Sequence, residues 1–455
     1  MRRGPRFYRA ESTPRRSMPR EPVTLTITDL SHDGRGVARY EGKTLFVHGA
    51  LPGERITARI TQQRSRFDEG KLLQLLEPSP ARNEPRCAHY GRCGGCQLQH
   101  LADAEQIHHK QQSVLQQLQR IGGVEPETVL KPLDGPHWHY RRRSRLSISC
   151  HKTGGKPMLG FRQQGSKQLV SLRECPILEP RGQALLEQLQ RLLPGLRQPQ
   201  SLSHLEIALG DNDSALLIRH PKPLHATDQA ALIDLCQQQG CQLYLQPTDS
   251  DSIHRVQGSG PERLHYGYQS GDDDAPLTLA FHPGDFTQVN ATINQAMITR
   301  ALTLLEPNAD DRLLDLFCGL GNFTLPLAQR AGAVVGVEGS AAMVTRGAEN
   351  AAANNLDNCR FYAADLTQPL AAEPWFGEGF SKILLDPPRA GALEVIQQLP
   401  LKGVDKLLYI SCDPATFARD AGELAQRGLQ LKQWGVMNMF PHTTHVESIG
   451  LFEPR

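Results

Sequence analysis

No stretch of this chain stays apolar long enough to cross a bilayer, so nothing in it reads as a membrane segment. Its first twenty residues lack the apolar core of a secretory signal, and their prolines break the amphipathic helix that a mitochondrial presequence needs. A cytoplasmic protein is expected. Charge of one sign is scarce as well. Fifty basic residues against 48 acidic ones leave a net charge of +2, so a polyanionic partner must be met by local patches rather than a global field. Ten cysteines in 455 residues are too few for a disulfide scaffold, and three of them cluster, which fits a reducing compartment with a metal or catalytic role. No internal repeat stands out. The length allows roughly two to four domains with ample core.

A local patch comes first. Residues 1–20 hold seven arginines (Arg2, Arg3, Arg6, Arg9, Arg15, Arg16, Arg20) against one acid, Glu11. With prolines and no apolar period, this reads as a disordered basic arm whose natural partner is nucleic acid. From residue 21 to about 80 the pattern is β. Val23, Leu25 and Ile27 alternate with threonines, Leu45-Phe46-Val47 makes another strand, and Pro52-Gly53 turns into Ile56–Ile60. Short strands at this spacing suggest a small barrel. Its basic residues, Arg35, Arg39, Lys43, Arg55, Arg59, Arg64 and Arg66, suit an RNA-facing surface as well as a merely solvated one. The phrase DGRGVARYEGKTLFVHGALPGE resembles the TRAM domain, an OB-like RNA-binding module, and favours RNA.

Residues 81–285 read as an α+β central domain. It opens with a C-x5-C-x2-C cluster, Cys87, Cys93 and Cys96, on a Gly-rich loop. Three thiols so close on such a loop are better explained by a bound metal than as small hydrophobes. The fourth ligand is expected at Cys175, in a Pro-flanked turn, with Cys150 as the rival. Spacing leaves zinc and an iron–sulfur cluster both open, and it is not the C-x3-C-x2-C loop of radical enzymes. Residues 101–120 read as a helix. In 137–150, Trp138 and Tyr140 beside Arg141, Arg142, Arg143 and Arg145 offer either a stacking and phosphate-pairing face for unpaired RNA or a solvated strand edge. Further on, helices are expected at 184–193 and 228–236, and an acidic loop at Asp272–Asp274.

From residue 286 to 455 strands and helices alternate. RLLDLFCGLGNF (312–323) is an apolar strand running into the turn Gly319-Leu320-Gly321, where backbone can approach a ligand closely. The next strand ends in Glu338, placed to hydrogen-bond a ribose diol. The turn lacks the third glycine of a dinucleotide fingerprint, so little favours a pyrophosphate. D-x-F-C-G-x-G with an acid at the end of the second strand instead resembles the S-adenosylmethionine pocket of Rossmann-like methyltransferases. Asp365 ends a third strand, where it can reach an adenine amino group, and Asp386 ends a fourth in DPPR.

The strand Leu407–Ile410 then delivers Cys412 to the same sheet edge, with Asp413 as N-cap and Pro414 at the first helical position. A thiol at a helix N-terminus is expected to have a lowered pKa, which Asp413 partly opposes. DPPR is similar to the DPPY motif of amino-methyltransferases, but Arg389 replaces the aromatic and a cysteine follows. Methylating an amine needs no thiol. Methylating C5 of a pyrimidine does, because that carbon is not nucleophilic until something adds to C6. Cys412 is the expected nucleophile and Glu447, in FPHTTHVES, the expected base. His442, His445 and Glu447 also spell a metal triad, although this mechanism has no use for one.

DPPRAG, YISCDPATFARD and MFPHTTHVES, with the Gly-rich turn, resemble the RNA uracil-5-methyltransferase family. The TRAM-like barrel and C-x5-C-x2-C cluster make the chain similar to members that act on 23S ribosomal RNA. The resemblance implies Cys412 as nucleophile, Glu447 as base and Asp386 as the group that orients uracil. It implies S-adenosylmethionine contacts at Gln288, Phe317, Asn322, Glu338, Asp365 and Asp386, and a [4Fe–4S] cluster on Cys87, Cys93, Cys96 and Cys175. It also implies that the helix near 101–135 packs on the catalytic domain. Asp413 and Asp365 stand where the family usually has Asn, and Asn438 where Asp is common. The expected architecture is multidomain α/β: an N-terminal TRAM barrel, an α+β centre with the cluster, and a C-terminal Rossmann-like methyltransferase. A large asymmetric RNA partner favours a monomer. The competing readings are a transfer-RNA or other ribosomal target, an amino-methyltransferase, and a non-catalytic iron–sulfur RNA-binding assembly factor.

Overall fold

The C-terminal sheet recruits a strand from far back in the sequence, 305 residues away, and that sets the layout. The computed structural model describes residues 21–150, 156–269, 271 and 275–455, and it divides after Arg82 into two units. The basic arm and the Asp272–Asp274 loop lie outside the described residues.

In the first unit strict alternation makes the strands. β1 (Val23–Thr26) buries Val23 and Leu25 and exposes both threonines. β2 (Asp29–Leu30), β3 (Gly36–Tyr40), β4 (Lys43–His48), β5 (Arg55–Gln63) and β6 (Phe67–Glu77) join it in the order β1-β5-β6-β4-β3-β2. Inward residues such as Ile27, Leu45, Val47, Ile56 and Ile60 share one core. Gly36 is needed at a close approach, since a Cβ there would lie 2.8 Å from the Ala50 carbonyl. On this unit Arg35 lies over the Phe46 ring and Arg64 over Phe67, and the two rings meet edge-on at 5.4 Å.

The second unit begins with the cysteine loop, then α1 (Asp103–Gln117) and the short strand β7 (Thr128–Val129). The helix expected over 101–120 leaves α geometry earlier, in a π turn at Leu118–Gly122 that ends on Gly123 at φ 63°. The reason is packing, because Gly122 abuts a later helix so closely that a Cβ would sit 2.2 Å from Ala418 O. A seven-stranded central sheet follows, in the order β10-β9-β8-β11-β12-β13-β14. Its strands are β8 (Arg143–Ser149), β9 (Met158–Arg162), β10 (Leu169–Ser171), β11 (His204–Leu209), β12 (Ser214–Arg219), β13 (Gln242–Gln246) and β14 (His254–Gln257). Helices α2 (Pro180–Leu192) and α3 (Ala226–Gln238) contribute Leu185, Leu186, Leu189 and Leu232 to its core. A hairpin, β15 (Leu264–Tyr268) with β16 (Leu277–Phe281), leads to the last sheet.

That sheet holds β17 (Arg312–Leu316), β18 (Ala333–Glu338), β19 (Cys359–Ala363), β20 (Lys382–Leu385), β21 (Lys406–Ser411), β22 (Leu429–Met437) and β23 (Glu447–Pro454). The order is β19-β18-β17-β20-β21-β23-β22-β7, with the first five parallel and β23 antiparallel to both neighbours. Near-continuous apolar strands such as LLYI, buried on both faces, are what a sheet covered by helices requires. The chain steps outward from β17 to β19, then returns to place β20 on the other side. That reversal opens a crevice at the carboxyl ends of β17 and β20, where ligands of open α/β sheets bind. Val114 and Leu118 of the α1 segment share a core with β21, β22 and β23, and β7 pairs with β22 at Val129–Trp434.

Candidate active site

At this crevice lies a cavity of about 1180 Å³. Its floor is the turn after β17. Phe317 has φ 65°, Gly319 57° and Gly321 98°, a left-handed run in which a Cβ on Gly321 would meet Leu325 Cδ1 at 2.4 Å. Glu338, ending β18, accepts the Gly319 N–H at 3.2 Å and the Ser340 N–H at 3.0 Å, so it fixes the turn as well as lining the cavity. Asn322 lines it too, exchanging hydrogen bonds of 3.0 Å with Asn294 and accepting the Tyr266 hydroxyl. Asp365 is exposed at the far wall, where hydrogen bonds from Thr367 hold its carboxyl below the usual range. Gln288 and Phe317 complete the part of the wall that the sequence pointed to.

The opposite wall is the thiol and its carboxylates. β21 and β23 pair antiparallel through Ser411 and Ser448, so the next residues outward, Cys412 and Glu447, meet at the strand ends. Asp386, one residue past β20, lines the same wall. Burial pushes Asp386 up to about 7. Burial, and then Asp386, push Glu447 well above the carboxylate range, while Arg389 and Lys110 draw it down. The thiol departs from expectation. Burial above all, then Glu447 and Asp386, push Cys412 up to about 12, with Arg389 drawing it down. Asp413 acts as the N-cap, accepting from the N–H groups of Ala415 and Thr416.

Three other expectations turn out differently or gain a structural context. The arginine–aromatic segment is largely spent inside the protein: Arg142 pairs with Glu179 and Asp211, and Arg143 with Glu206. Tyr140 is buried with its hydroxyl on Pro441 O, and Trp138 stacks on His442 at 3.9 Å beneath Arg86. His442 is accordingly a packing residue outside the lining of Glu447's cavity, while His445 lines it against Arg389. The four expected cluster thiols gather around the base of the central core, close enough that each of Cys87, Cys93 and Cys96 raises the Cys175 thiol. Among the described residues, no group of three or more His, Cys, Asp or Glu side chains is arranged to hold a metal ion.

Sequence reasoning passed over Phe286, a cavity residue 70% exposed. It also missed Lys110, buried in α1 with its ammonium on Asn438 Oδ1 and Phe440 O. An exposed aromatic has no period to betray it, and a lysine in a polar helix looks like surface.

Fold and cavity together define a Rossmann-like methyltransferase. The tRNA (uracil-5-)-methyltransferase family model matches residues 272–455, and the TRAM domain model residues 16–73. The 23S rRNA (uracil(1939)-C(5))-methyltransferase of Alcanivorax borkumensis is 47% identical over 96% of this chain and 98% of its own length. The protein of the same name from Alkalilimnicola ehrlichii is 48% identical over the same shares. A solved structure, Pyrococcus abyssi tRNA (uracil-54, C5)-methyltransferase with S-adenosyl-L-homocysteine, shares the fold at TM-score 0.72 and 23% identity, over 94% of this chain and all of that one. The chain belongs to the RNA uracil-5-methyltransferase family.

Proposed function

We propose that this enzyme methylates C5 of the uridine 1939 position of 23S ribosomal RNA, the reaction its relatives are named for. Supporting it above all is the meeting of Cys412 and Glu447 at paired strand ends, because this chemistry needs one nucleophile and one base on the same pyrimidine. Cys412 gives its proton to solvent and adds through Sγ, as the thiolate, to C6 of uracil, and the enolate so formed takes at C5 the methyl group of S-adenosylmethionine, which leaves as S-adenosylhomocysteine. Glu447 then removes the C5 proton, and the thiolate departs to restore the ring. Asp386 orients the uracil at the same wall. S-adenosylmethionine supplies an electrophilic methyl group and a positive charge that favours the ionised thiol and carboxylates in the shared cavity. Glu338, Asp365, Phe317, Asn322 and Gln288 are its proposed contacts.

A base inside folded RNA must be unstacked to reach so recessed a thiol. Phe286 at the cavity mouth offers it a stacking face, and the Arg35–Phe46 and Arg64–Phe67 pairs offer others to single-stranded segments. Cys87, Cys93, Cys96 and Cys175 are the proposed ligands of a [4Fe–4S] cluster. Their gathering supports this: burial first, and then the neighbouring thiols, push Cys96 up to about 11 and Cys175 to about 12, and a bound cation would offset both costs for the thiolates.

RNA carrying 5-fluorouridine tests the reading. With S-adenosylmethionine, a 23S fragment so substituted should form a denaturant-stable adduct at Cys412, because fluorine cannot leave as a proton. No adduct, or methylated purines, would point to an amino-methyltransferase or a non-catalytic factor. An adduct with transfer RNA alone would move the target.

A further inference from the structure

Residues 438–446, between β22 and β23, carry the chain into Glu447, and they are gripped from one side. The His442 carbonyl accepts the backbone N–H groups of both Gln97 and Leu98, each at 2.9 Å. The His442 N–H donates to Gln106 Oε1 at 2.9 Å, and Gln106 Nε2 lies 3.2 Å from His442 Nδ1. Lys110 Nζ donates to Phe440 O at 2.9 Å and to Asn438 Oδ1 at 3.2 Å, and Asn438 Nδ2 turns to Asp134. His442 itself has φ 66°, a conformation that non-glycine residues hold only where the surroundings over-determine it.

Gln106 and Lys110 are four residues apart, hence on one face of α1, and both are buried. Burial draws Lys110 down to about 7, against the pull of Asp134 and Glu447, a cost that a methionine of similar size would not carry, so the amine does more than fill space. We propose that Gln106 and Lys110 are positioning residues for the reaction: they bracket Asn438–His442 so that Glu447 reaches the C5 proton, and Lys110 adds a positive field at that carboxylate. This rests on the reading of Glu447 as the base.

The test uses the full chain, S-adenosylmethionine and a 23S fragment with its ordinary uridine, quenched in denaturant. A misplaced base stalls the reaction after C5 has taken the methyl, because elimination of Cys412 requires loss of the C5 proton. Lys110→Met and Gln106→Leu should therefore accumulate covalent protein–RNA adduct, roughly 10–100-fold above wild type, with KM for the RNA within about twofold. A variant that is merely unstable gives less adduct, not more, and Gln106→Leu carries the test should Lys110→Met not fold. Glu447→Gln is the reference. If it releases product normally, the base reading falls and takes the bracket with it. If it stalls while both bracket variants turn over at the wild-type rate, or lose methylation without adduct, the bracket alone is overturned.

Discussion

Ser411 and Ser448 are cross-strand partners at the last pair of β21 and β23, and this register alone brings Cys412 and Glu447 together. A slip of one residue would send one of the two to the other face of the sheet. Replacing the thiol tests the first consequence. Cys412→Ser should lower methylation by at least about 10³-fold while leaving S-adenosylhomocysteine binding in place, since the thiol acts only on the pyrimidine. Single-turnover assays beside calorimetric titration separate the two.

The raised thiol has its own signature. With burial and two acids holding Cys412 near 12, the ligand-free enzyme should alkylate there more slowly at pH 8 than an unperturbed cysteine does. Peptide-resolved mass spectrometry after iodoacetamide reads it directly. Alkylation faster than free cysteine would contradict the structure.

Asp386 makes a pH prediction whose sign is the reverse of an ordinary ion-paired carboxylate. Its folded pKa of about 7 lies above the unfolded 3.8, so the folded state binds the extra proton between those values. Stability therefore falls as pH rises through that window, and the penalty, on the order of 4 kcal/mol, is complete only above pH 7. Asp386→Asn should raise the melting temperature at pH 8, leave it nearly unchanged at pH 4, and abolish activity.

Gly321 combines φ 98° with a Leu325 contact that a methyl group would violate. Gly321→Ala should cost about 1–3 kcal/mol and weaken S-adenosylhomocysteine binding together. Asp413→Asn, by contrast, keeps the cap oxygen and should be neutral, while Asp413→Ala loses about 1 kcal/mol. Urea denaturation resolves both.

The cysteine quartet predicts composition. Anaerobically purified protein should hold about four irons with matching sulfide, and Cys175→Ser should lose most of them. Elemental analysis and visible absorption give the answer.

Much of this site was legible because each strand announces itself by an apolar run and ends on the residue that matters: Asp386, Cys412, Glu338. The N-cap at Asp413 and the Pro414 start were equally plain, being local chemistry. What escaped was whatever depends on partners distant in sequence. The roles of Arg142 and Arg143 turn on Glu179, Asp211 and Glu206, which no local pattern supplies. Cys412's high pKa comes from burial and from acids on two other strands, so the helix terminus beside it was a poor guide. Asn438 likewise depends on Asp134, 304 residues away, a carboxylate to which its amide donates and a second carboxylate could not.

β7 closes the sheet against β22, one element made early in synthesis and the other near the end. A ribosome translating this chain thus releases α1 and β7 long before the surface they dock on exists. Until Trp434 emerges, Val129 and the apolar side of α1 wait without a mate, and the two-ended seam makes late maturation an inherent step.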